Sequence, residues 1–96
     1  GLGTPVDEEV IVEPIRVRVR PAGQYGTEVK YELDGYDGVI SDGSTLYQRL
    51  KERSEAVGLE SPLIITPAPN VEWGYVVEVF NQATRCRFES VEFSPS

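Results

Sequence analysis

The chain has no histidine and no methionine, a single cysteine and a single tryptophan. Without histidine it lacks the side chain that most often serves as general base or metal ligand near neutral pH, so Ser-His and Cys-His nucleophile arrangements and imidazole metal sites are excluded. The lone Cys86 can form no disulfide within the chain and no multi-cysteine metal site; it reads as a small buried apolar residue and leaves the redox compartment open. Cations are scarce as well. Nine Lys and Arg stand against sixteen Asp and Glu, a net charge of −7, which argues against nucleic acid, whose phosphates are bound by clustered Lys and Arg. Neither GxxxxGK[ST] nor GxGxxG is present, and Gly35 and Gly38 lie in an acidic loop that repels phosphate. No apolar run reaches the roughly 18–20 residues that span a bilayer, and no stretch reads as a secretory leader. These absences predict a non-catalytic module with no cofactor and no metal.

What is present suits one α/β domain. Hydrophobic residues make up 40% and charged residues 26% of the 96 positions, an ordinary globular balance that argues against disorder. Residues 1–9 are polar and acidic with Pro5, a linker leading into a domain over 10–96. From 10 to 20, Ile15, Val17 and Val19 alternate with Arg16, Arg18 and Arg20, the period of a half-buried strand. Residues 28–33 repeat the alternation, with Val29, Tyr31 and Leu33 inward, so the two predict a hairpin whose outer face sets three arginines near Glu28 and Glu32. The loop 34–44 has room for a short strand at 38–41. A helix over 45–57, capped by Asp42 or Ser44, puts Leu46, Leu50 and Val57 on one stripe and stops at Gly58 in a left-handed turn that lets Leu59 pack back. Leu63, Ile64 and Ile65 read as a central strand ended by Pro67 and Pro69. Asn70 is positioned to cap a second helix, on which Trp73, Val76, Val77, Phe80 and Ala83 share a face. A last strand follows near 88–93. The expected fold is α/β (α+β), a two-layer mixed sheet in the order β-β-α-β-α-β.

Few residues carry a chemical signal. Asp34, Asp37 and Asp42 have the oxygen ligands that Ca²⁺ takes, but not the twelve-residue EF-hand spacing or its terminal Glu, and read as turn formers. The Arg16, Arg18, Arg20 stripe reads as a solvated, partly neutralised sheet face. In the first turn of the second helix, Trp73 is expected in the core, and Tyr75, pointing away, is the better contact candidate.

The segment PLIITPAPNVEWGYVVEVFNQATRCRFESV, residues 62–91, resembles the C-terminal part of ExbD and TolR proteins. In both, an apolar strand enters a short loop, an aromatic-Gly step, a Val-Val-Glu-Val helix and a closing strand; here Ile64, Ile65, Val71, Trp73, Gly74, Val76, Val77, Glu78, Val79 and Val91 stand at the matching places. The sequence departs at Ala68, where that family commonly has an acidic residue, at Arg87, where it commonly has glycine, and in a longer 34–44 loop. The resemblance implies the periplasmic domain of a single-pass inner-membrane protein whose proton-responsive carboxylate lies in a preceding membrane helix, with residues 1–9 as the tether outside the bilayer. It implies an ExbB/TolQ-type proton-channel partner reached through that helix, a TonB- or TolA-like partner, and a homodimer. Val71, Trp73, Tyr75, Val91 and Phe93 are the candidate partner-binding residues, and the last strand or the 10–20 strand the expected free edge. The alternative is a regulatory module that holds a small molecule near residues 67–70, at the start of the second helix.

Overall fold

The computed structural model describes residues 13–23, 25 and 28–94. The linker expected over 1–9 and the front of the first strand at 10–12 lie outside the described residues. The elements run β1 (Ile15–Ala22), β2 (Glu28–Leu33), α1 (Gly43–Val57), β3 (Leu63–Pro67), α2 (Trp73–Arg85) and β4 (Val91–Phe93). The expected order and two-layer mixed sheet are both present. The sheet order is β2-β1-β3-β4; β1 pairs antiparallel with β2 and parallel with β3, and β3 pairs parallel with β4.

Alternation in β1 and β2 has the predicted effect. Ile15, Val17, Val19, Val29, Tyr31 and Leu33 are buried beneath the helices together with Leu63 and Ile65 of β3. The helices cover one face only, so the arginine stripe lies on the open face. There Arg18 bonds Asp34 at 3.0 Å, Arg20 bonds Glu32 at 2.9 Å, Lys30 approaches the same Glu32 at 3.5 Å, and Arg16 donates to Thr66 at 3.3 Å. The register puts Glu28 opposite Ala22, one step past the stripe, and Asp34 takes the acidic role expected of it. These pairs are partly exposed, so each contributes at most about 1 kcal/mol. Ile64 shares this open face, half-buried, so β3 is covered on one side and flanked by strands rather than covered on both.

Asp42 caps α1, its Oδ1 accepting from the Thr45 amide at 2.7 Å. The buried stripe is Leu46, Leu50 and Ser54; Val57 points along the same side, three turns on from Leu46, but it is the last residue of the helix and is left exposed there. Ser54 meets the core by donating its hydroxyl to the Lys51 carbonyl at 2.7 Å. Gly58 does end the helix at positive φ, but with φ 97° and ψ 153° the chain leaves extended and Leu59 stays exposed. Residues 38–41 form no strand; Ile40 alone bridges to Tyr31.

Asn70 does not cap α2. It takes φ 70° in the turn after β3, a left-handed position that asparagine tolerates well, and Glu72 occupies the cap position with no side-chain cap bond. The far end of α2 closes as a Schellman turn: the Arg87 amide donates to Thr84 O at 2.9 Å and the Phe88 amide to Ala83 O at 3.3 Å, with Arg87 at φ 69°. Phe88, buried over that turn, is the hydrophobic contact that accompanies it rather than the start of the last strand, which begins at Val91.

Candidate functional site

Apolar residues of α2 lie on two stripes. Val76, Val79 and Ala83 face the sheet and are buried, and Gln82 is buried beside them. Trp73, Val77 and Phe80, spaced i, i+4 and i+7, form a neighbouring stripe that overhangs the end of the sheet. Trp73 is 61% exposed, Phe80 41% and Val77 37%. Phe93 completes the patch at 46% exposure, its ring 5.6 Å from Trp73 and 6.2 Å from Phe80. Parallel pairing sets Phe93 beside Ile65, so its side chain leaves the sheet on the helix side and meets the stripe. Ring pairs at such distances contribute about 0.5–1.5 kcal/mol beyond area burial; here they hold an apolar surface in place while leaving over a third of each side chain in water.

The patch lies beside the uncovered edge of β4. Ser90 O accepts from Leu63 N and Ser94 N donates to Ile65 O, both at 2.9 Å. Strand alternation then turns the backbone groups of Val91 and Phe93 away from β3, and no partner for them is found among the described residues. The edge expected of the first strand does not exist: β1 is paired on both sides, by β2 and β3. The other outer strand, β2, is partly occupied, since Tyr31 N donates to Ile40 O at 2.8 Å.

Of the candidate partner-binding residues, Trp73 and Phe93 therefore come together at the β4 edge, while Val91, on the same strand, is half-buried against the core. Val71 and Tyr75 lie on the opposite flank of α2, half-buried against the core. The expectation for the two aromatics is reversed: Trp73 is the exposed one and Tyr75 the packed one, because the sheet takes the Val76–Val79 side of the helix. Val77 and Phe80, assigned by periodicity to the core, belong to the exposed surface; an apolar arc too wide for one helix to bury against one sheet was the signal available for them.

On the Tyr75 flank, Asp42, Glu72 and Glu78 line one cleft together with Tyr31. Glu78 Oε2 accepts from Gln82 Nε2 at 2.7 Å, and the same carboxylate lies against Gly43 at the start of α1, where a Cβ would overlap it. The shallow cleft at the start of α2, about 190 Å³ and lined in part by Glu28, Asn70, Val71 and Glu72, brings two carboxylates to the place where a small-molecule anion would need donors. The three loop aspartates do not converge: Asp34 bonds Arg18, Asp42 caps α1, and Asp37 is exposed. Cys86 is buried, its thiol donating to Tyr47 O at 3.6 Å, and burial raises its pKa. No protein-family model and no curated protein matches the chain.

Proposed function

We propose that the chain is the periplasmic domain of an ExbD/TolR-like inner-membrane protein, a non-catalytic module that passes work from an ExbB/TolQ-type proton channel to a TonB- or TolA-like partner. The observation that carries the reading is the exposed patch of Trp73, Val77, Phe80 and Phe93 beside an unpaired strand edge. An extended segment added to β4 would satisfy the outward groups of Val91 and Phe93 and lay alternate side chains over the patch. The sequence resemblance over 62–91 supports the assignment, and Arg87 supports it separately: this residue takes a left-handed conformation at the position where those proteins commonly carry glycine.

Dimerisation belongs to this reading. Two copies joined antiparallel through β4 with Glu92 at the centre would bring the two Glu92 carboxylates together, an unfavourable like-charge pair. The partner's strand therefore suits the edge better than a second copy's.

The reading requires an apolar stretch of about 20 residues ahead of Gly1 in the full-length gene; a gene without one refutes it. For the edge itself, the test is titration with an extended segment of the TonB- or TolA-like protein encoded alongside. Trp73→Ala is expected to weaken binding about tenfold or more, as loss of an exposed aromatic anchor does, and to cost only about 1 kcal/mol in unfolding, the Phe93 ring contact it gives up. Equal affinity for wild type and variant refutes the role of the patch.

A further inference from the structure

The flank of α2 away from the β4 edge carries a second surface, independent of the partner-binding patch. A cleft of about 350 Å³ lies between the start of α1 and the start of α2, lined among others by Tyr31, Asp42, Glu72, Tyr75 and Glu78. No lysine or arginine lines it. Two helix N-termini face it, each equivalent to about +0.5 charge. Three carboxylates therefore exceed what the helix dipoles neutralise by about two charges. Asp42 and Glu78 have each committed one oxygen, to Thr45 N and to Gln82 Nε2; Glu72 has no side-chain hydrogen bond or ion pair among the described residues.

Tyr31 supplies a separate observation. The residue is 3% exposed, yet its hydroxyl has no hydrogen-bond partner among the described residues. Buried phenols are ordinarily hydrogen-bonded. The hydroxyl is not among the sealed orphan atoms, which are Arg49 Nε and Arg53 Nε, and Tyr31 is one of the residues that line the cleft. Burial first, then Glu78, Tyr75 and Asp42, push its pKa up to about 12, so the hydroxyl stays protonated and its oxygen is free to accept. A bare metal ion does not fit, because no three His, Cys, Asp or Glu groups among the described residues could hold one. The acceptors are spread instead around a cleft beside the half-buried Tyr75, and that arrangement suits a cation with several N–H donors on an aliphatic stem, able to lie against a ring.

We propose that this cleft binds an organic cation, a guanidinium or primary ammonium on an alkyl stem, through Glu72, Glu78, Asp42 and the Tyr31 hydroxyl. Such a group is carried by an arginine or lysine side chain of a partner polypeptide and equally by a free amine. The chemistry at the site is the same for both.

The test is titration of the isotope-labelled chain, followed by amide and side-chain NMR, with N-acetyl-arginine amide, n-butylammonium and a short Arg-containing peptide, and with N-acetyl-norleucine amide as the uncharged control. Saturable shifts at Tyr31, Asp42, Gly43 and Glu72 to Glu78 are expected with the cations and not with norleucine. Saturation by the free cations supports a small-amine site; saturation by the peptide alone supports a partner side chain. Glu72→Gln, which removes an exposed charge with no bond of its own, should weaken binding about tenfold, the loss of one charge-assisted hydrogen bond. Tyr31→Phe should weaken it severalfold while leaving the unfolding midpoint equal or higher, since that hydroxyl has no partner to lose. Two outcomes overturn the proposal: no saturable shift with any of the cations, or shifts that neither variant alters. A fall in stability on Tyr31→Phe with binding unchanged also overturns it, by making the hydroxyl structural. None of these outcomes depends on whether a strand adds at β4.

Discussion

Arg87 is the residue at which a single substitution should strengthen this protein. Its φ of 69° lies in the left-handed region, which costs an L-residue with a Cβ about 1–2 kcal/mol. The Schellman bonds from Arg87 N and Phe88 N hold it there, because release would orphan the Thr84 and Ala83 carbonyls and lift Phe88 out of the core. Glycine removes the Cβ penalty but loses more backbone freedom on folding, about 0.5–1 kcal/mol. The first effect is the larger, so Arg87→Gly should stabilise the domain by about 0.5–1 kcal/mol. In a domain of this size each kcal/mol moves the melting temperature by about 4–8 °C. The exposed Arg87 side chain has no ion pair or hydrogen bond among the described residues, so its removal forfeits little. Arg87→Ala is the control, since it removes the guanidinium and keeps the Cβ; it should give no gain, and with a net charge of −7 it should lose slightly. Urea unfolding of the three proteins, compared at a common slope, reads the difference. If alanine stabilises as much as glycine, the cause is charge rather than backbone. If glycine lowers the midpoint, relief of the left-handed Cβ clash is outweighed by the freedom glycine loses on folding, and the reasoning fails.

Gly43→Ala should change stability by less than about 1 kcal/mol, because its Cβ would meet only the far end of the Glu78 side chain, which can swing aside, and alanine suits a helix better than glycine; a loss well above that in urea unfolding would show that the Gln82 bond locks the Glu78 carboxylate in place. Asp42 is held below the ordinary carboxylate range by the Thr45 amide, so its cap contributes fully above the ordinary value of about 3.9 and is lost as pH falls through the lower folded value. The gap in melting temperature between wild type and Asp42→Ala should therefore be constant near neutral pH and close in acid; a gap that widens in acid contradicts the assignment. Cys86, with its thiol pKa raised by burial, should resist alkylation in the native state and react along the urea unfolding curve; rapid labelling without urea would show that the α2 end opens locally.

Most of the fold is readable wherever one residue pattern admits one burial. The β1 and β2 alternations assign every side chain to a face, since a strand has only two. The α1 cap and the stop at Gly58 are legible from local chemistry, as is the turn after β3, although Asn70 serves there as a left-handed residue rather than as a cap. The candidate site is less legible. Trp73 and Phe93 are found together, but Val77 and Phe80 join them from the supposed core, while Val91 packs against the core and Tyr75 and Val71 leave for the opposite flank. A helix whose apolar residues cover two adjacent stripes does not say which one meets the sheet, and Val79 with Val76 is as good a seam as Val77 with Phe80.

The lack of histidine, the acidic balance, the period of each strand and the start and end of α1 follow from the residues alone, because each is set by side-chain chemistry or by neighbours a few positions away. Sheet order is a different matter. That β1 lies inside the sheet and β4 at its edge, that α2 turns its Trp73 stripe outward, and that Asp42, Glu72 and Glu78 line one cleft with Tyr31 depend on contacts between residues tens of positions apart. Those contacts are chosen by which packing buries the most apolar surface, and only the assembled layers decide that.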